Sequence, residues 1–142
     1  MNRLKGLLLI FVTLVVSLSS CSTSGPPDIK VKWPKLFRSN YSKDTGSAFM
    51  AIINDGTGKD ILTGCSVIEY PEVSCELHNI VNGRMVLVKQ MEVPAKGILD
   101  LKSGSSHLMF FGLPDKMKSE ITVVLRFRKS GTMKIKTKIK WF

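Results

Sequence analysis

Histidine is scarce in this chain: His78 and His107 are the only two among 142 residues. No Ser-His-Asp or Cys-His constellation with convincing spacing can be assembled from them, and no glycine-rich phosphate loop occurs. An enzyme is therefore not expected. Long apolar runs are lacking as well. The longest, Gly6 to Leu18, has thirteen residues, and a helix needs about 20 to cross a hydrocarbon core. No window carries a helical period, and there is no internal repeat or low-complexity tract. Acidic residues are few, 11 against 21 Lys and Arg, for a formal charge of +10.

The beginning of the chain accounts for its one apolar run. Arg3 and Lys5 precede it and Leu18-Ser19-Ser20-Cys21 closes it, the layout of a secretory signal peptide over residues 1–20. Leu18-Ser19-Ser20-Cys21 resembles a bacterial lipobox, which implies cleavage before Cys21 and lipidation of its sulfur and new amino terminus. Several acyl chains on one residue anchor stably where a single chain is marginal. The expected product is lipid-anchored on the periplasmic face of a bacterial membrane, where it does not meet nucleic acid. Residues 21–28 (Cys-Ser-Thr-Ser-Gly-Pro-Pro-Asp) then read as a lipidated cysteine and flexible tether, and residues 29–142 as a single domain of ordinary size.

From Ile29 onward the pattern is β throughout. Ile29, Val31 and Trp33 alternate with lysines, and apolar runs follow at 48–54, 61–68, 73–80, 84–91, 98–101, 107–113, 121–127 and 133–139. Gly, Pro, Asn or Ser punctuates them, so the expected fold class is all-β, a sandwich or small barrel. Asn82-Gly83 is the strongest hairpin signal, a two-residue turn whose central positions need positive φ. It pairs Ile80 with Met85 and His78 with Leu87, making His78 and Met85 same-face diagonal neighbours. His107 and Met109 stand two apart on another strand and share a face too. Thioether and imidazole are soft-to-borderline uncharged donors, a set suited to Cu(I) and ill suited to Mg, Ca or Mn. His78, Met85, His107 and Met109 are the candidate metal ligands.

The same residues resemble a known family. Met85-x21-His107-x-Met109 is similar to the His-x10-Met-x21-His-x-Met signature of the PCuAC periplasmic copper chaperones. The likeness runs from about Ala48 to Lys138 and includes Phe49-Met50-Ala51-Ile52-Ile53-Asn54, Glu76-Leu77-His78 and Val93-Pro94-Ala95-Lys96-Gly97. Six residues, not ten, separate His78 from Met85, and the turn before the second histidine reads Ser103-Gly104-Ser105-Ser106. The resemblance implies a Greek-key, cupredoxin-like barrel that carries Cu(I), and a monomer is expected. It further implies delivery to the copper centre of cytochrome c oxidase alongside a Sco-type protein.

Two features leave alternatives open. Cys65 and Cys75 form an even pair in an oxidising compartment, so either a disulfide links them or one serves as a thiolate ligand. Cys75-x2-His78 with a later Met has the ingredients of a blue-copper electron-transfer site, although residues three apart on a strand face opposite ways. The block Arg126, Arg128, Lys129, Lys134, Lys136, Lys138 and Lys140 is either a solvated face guarding an edge or a surface for anionic lipid or an acidic partner. A structural or adhesive lipoprotein without metal is the third function class.

Overall fold

The structure, a computed structural model, describes residues 24–141. The expected signal peptide and the Cys21 anchor lie outside the described residues. Ten strands make up the described chain: β1 Ile29–Arg38, β2 Thr45–Asn54, β3 Asp60–Val67, β4 Ser74–Val81, β5 Arg84–Val88, β6 Met91–Val93, β7 Gly97–Leu101, β8 His107–Phe111, β9 Glu120–Phe127 and β10 Gly131–Trp141. They join in the order β5-β4-β8-β2-β1-β10-β9-β3-β6, with β7 also on β2. β1 is the pivot, antiparallel to β2 along one edge and parallel to β10 along the other. The sheet folds over so that β3 packs against β4 and β6 against β7, giving the nearly closed, all-β barrel expected of a cupredoxin-like chain.

Period-two alternation decides which side chains go inside. Leu36, Ile52, Leu62, Val93, Leu101, Leu108, Phe110, Ile121, Val123 and Leu125 are almost wholly buried, and burying each side chain stabilises the fold by roughly 1.5–3 kcal/mol. Cys65 on β3 and Cys75 on β4 face this interior and are joined by a disulfide, with Cα atoms 5.5 Å apart. That link settles the two readings of the pair: neither sulfur is a free thiolate, and Cys75 points away from the face that holds His78.

Two expectations need correction. Residues 84–91 do not form one strand. The chain leaves β4 after Val88 and starts β6 at Met91 against β3, because it passes from one layer of the barrel to the other. The expected tether over 21–28 is also not free along its length. Gly25 N–H donates to Thr57 Oγ1 (2.9 Å), Asp28 N–H to Asn54 Oδ1 (3.0 Å), and Asp55 N–H to the Asp28 carbonyl (2.9 Å). Residues 25–28 therefore lie on the 54–58 turn, whose glycines leave room for them: a Cβ at Gly58 would come within 2.0 Å of the Gly25 carbonyl oxygen.

Candidate metal centre

The site is built on the outer face of β5, β4, β8 and β2. Asn82 and Gly83 both have positive φ, 50° and 73°, as the two-residue hairpin turn demands. Ile80 then pairs with Met85 and His78 with Leu87, the register read from the sequence. On its other edge β4 pairs with β8, setting His78 directly opposite His107, Glu76 opposite Met109 and Leu77 opposite Leu108. Leu77 and Leu108 point into the core, so His78, Met85, His107 and Met109 all point out. Ser47 of β2 lies opposite Met109 on the far edge of β8.

Local structure holds the two imidazoles with different atoms. His78 Nε2 lies 2.8 Å from a Glu76 carboxylate oxygen. A carboxylate can only accept, so that nitrogen carries a proton, and in the neutral ring Nδ1 then keeps its lone pair. His107 Nδ1 donates to the Ser105 carbonyl (2.8 Å), which leaves the lone pair on Nε2. Such contacts on the non-ligating nitrogen are how metal-binding histidines are usually oriented. The ring centroids stand 5.8 Å apart, a spacing compatible with one ion shared between them at metal–nitrogen bonds of ~2.0 Å.

His78 and His107 are 8% and 5% exposed, yet His78 Nδ1 has no hydrogen-bond partner. Among the described residues it is the one buried side-chain nitrogen or oxygen left so. A buried polar atom without a partner costs ~1–3 kcal/mol, and native structures hold few. The two thioethers are placed less alike. Met109 is half-buried, and its sulfur accepts from the Ser47 hydroxyl at 3.3 Å. Met85 is 53% exposed on the edge strand and lines a cavity of about 200 Å³ with His107, Phe49, Ile80 and the 103–104 turn.

All four candidates named from the sequence therefore share one face, with the two histidines directly opposite one another. No group of three or more His, Cys, Asp or Glu is placed to hold a metal among the described residues; the further donors on this face are the thioethers of Met85 and Met109. Sequence reasoning missed Ser47, whose only signal is its outward place between Thr45 and Phe49. The signal for Glu76 is its place two residues before His78 and thus on the same face.

Residues 29–139 match the family model described as "Putative lipoprotein LpqE-like". Among solved structures, the copper-bound PCuAC domain from PmoF2 superposes with a TM-score of 0.68 at 17% identity, covering 84% of this chain and 97% of that one. The apo PCuAC domain from PmoF1 gives 0.67 at 20% identity, covering 84% and 98%. The CuI-DR1885 solution structure from Deinococcus radiodurans gives 0.62 at 18%, covering 87% and 85%. No curated protein sequence matches significantly. At these identities the structural likeness establishes the fold.

Proposed function

The chain belongs to the LpqE-like family, and from that premise and its outer face we propose that it is a copper carrier. In this reading His78, His107, Met85 and Met109 bind one Cu(I), and the chain performs no covalent chemistry on it. The observation that carries the reading is the buried, unpartnered Nδ1 of His78 beside His107, with two thioethers on the same face. The copper-bound states of two similarly folded proteins support it. Cys21 would anchor the carrier to the periplasmic face of a membrane, in keeping with the family's lipoprotein description. The recipient we propose is the copper centre of cytochrome c oxidase, with a Sco-type protein as co-worker. The electron-transfer reading loses its thiolate to the Cys65–Cys75 disulfide.

The test is a Cu(I) titration of the mature chain against a chromophoric chelator. One ion should bind per chain. His107→Ala and Met109→Leu should weaken uptake, whereas Met133→Leu should not, because Met133 packs inward against the core. Absence of uptake by the folded chain would return it to the structural class. For delivery, deleting the gene should lower oxidase copper loading when copper is scarce, and added copper should restore it. Unchanged loading at every copper level would reject the recipient.

A further inference from the structure

Beyond the copper face, the outer surface of β1 and β10 is built almost wholly from lysine. The parallel register sets Lys35 beside Lys138, and alternation brings Lys134, Lys136 and Lys140 onto the same exposed side. Lys32 joins them from the other side of a bulge in β1. None of these six makes an ion pair among the described residues, although Glu69 lies near Lys136, and Glu120 sits opposite Lys138. Guarding an edge does not explain all of them. β1 and β10 pair over Lys35–Arg38 and Lys138–Trp141, so Lys35, Lys138 and Lys140 stand where there is no edge to protect.

The bulge itself carries a second observation. Trp33 has φ of 55°, a conformation that bulky residues rarely adopt, and it is 72% exposed. The Lys32 ammonium lies 5.9 Å from its ring centroid. Bulges re-aim side chains, and here the re-aimed one is a large indole standing in a lysine field. Trp beside Lys is the pairing that seats a protein at the water–lipid boundary, the ring among headgroups and the cations on anionic phosphates.

The chain's attachment points the same way. Because residues 25–28 are tied to the 54–58 turn at the foot of β1, only four peptide steps separate Cys21 from the barrel. That is a reach of ~14 Å. An anchored barrel would thus be held with the foot of this lysine face against the bilayer.

We infer that the face formed by Lys32, Trp33 and Lys35 of β1 with the lysines of β10 docks on an anionic lipid surface. The inference needs neither copper nor the acyl chains, so it stands apart from the proposed function. The outer faces of β1 and β8 are two strand spacings apart, ~10 Å. The docked barrel would therefore hold its proposed copper face close to the membrane surface.

The experiment uses the chain from Ser22 onward, which contains every strand, the disulfide and the core. Sedimentation with phosphatidylglycerol–phosphatidylcholine vesicles should show binding that falls with added salt, and phosphatidylcholine alone should bind little. Substituting Lys134, Lys136, Lys138 and Lys140 by Gln should weaken binding by ~100-fold or more at low salt. Substituting Lys43, Lys59, Lys89 and Lys102 by Gln removes the same charge elsewhere and should cost far less. In Trp141→Phe, fluorescence from Trp33 should be quenched by brominated lipid. Equal losses in the two lysine sets, no preference for anionic vesicles, or an unquenched Trp33 would each overturn the proposal. Binding only to an acidic protein and not to vesicles would overturn it as well.

Discussion

Two of the groups of buried polar side chains in this barrel are satisfied very differently. At the pole near the 54–58 turn, Asp60 receives the N–H groups of Ile61, Lys129 and Ser130 and the Ser130 hydroxyl, at 2.6–2.9 Å. Nearby Asn54 accepts from two N–H groups and donates to the Gly58 carbonyl. On the outer face, His78 has one bonded nitrogen and one buried nitrogen with nothing. The first group is complete as the chain alone supplies it, which makes it structural. The second is one partner short, and the shortfall falls on an atom with a lone pair to give. That difference separates a residue that holds the fold from one whose nitrogen the chain leaves without a partner, and which is proposed above as a copper ligand.

Breaking the complete group should have the larger effect. Asp60→Ala strands three backbone N–H groups around Ser130 and should destabilise the fold by ~3 kcal/mol or more, measured by denaturant unfolding. Burial pushes the Asp60 carboxyl up, but the Ser130 hydroxyl and the backbone N–H groups of Lys129, Ile61 and Ser130 outweigh it. They hold the pKa below its ordinary value of 3.8. A depressed carboxylate stabilises above its unfolded pKa, and that contribution is lost as pH falls through the folded value. Wild type should therefore lose stability below about pH 4, and Asp60→Asn should flatten that limb of the profile.

The disulfide comes next. Changing Cys65 and Cys75 together to Ser should cost ~2–3 kcal/mol while Cu(I) uptake by the folded variant stays as in wild type. Loss of uptake with the fold intact would mean that the site depends on the β3–β4 link. His78→Leu sharpens the contrast from the other side. It removes the stranded nitrogen, and Glu76 is open enough to water to be resolvated, so apo stability should change by less than ~1 kcal/mol. The rise in melting temperature on adding Cu(I) should disappear in the same variant. The smallest effect is expected of Ser47→Ala, which loses only the hydroxyl on the Met109 sulfur. It should weaken Cu(I) binding by no more than ~10-fold. A larger fall would make Ser47 more than a positioning residue.

What the sequence made legible was local. Asn82-Gly83 dictates its own turn, so the register of β4 and β5 follows residue by residue, and His107 and Met109 share a face by parity alone. The β4–β8 pairing that sets His78 opposite His107 joins segments 29 residues apart, and no turn chemistry fixes such a register. The same holds for the parallel β1–β10 contact and for Ser47, which reaches Met109 across 62 residues. The break at Lys89-Gln90 escaped notice because Arg84 to Met91 is apolar enough to read as one strand. Only the barrel's two layers divide it.

The placement of Met85 bears on the order of events. β8 is flanked on both sides, by β4 and β2, whereas β5 is the last strand of its layer and pairs only with β4. In the proposed carrier three ligands would thus sit on interior strands and the fourth on a rim open to solvent. A recipient's incoming sulfur would meet that rim first and take the place of Met85 while the other three still hold. The ion would pass through a shared, fully coordinated state and never stand free in the water between the two proteins.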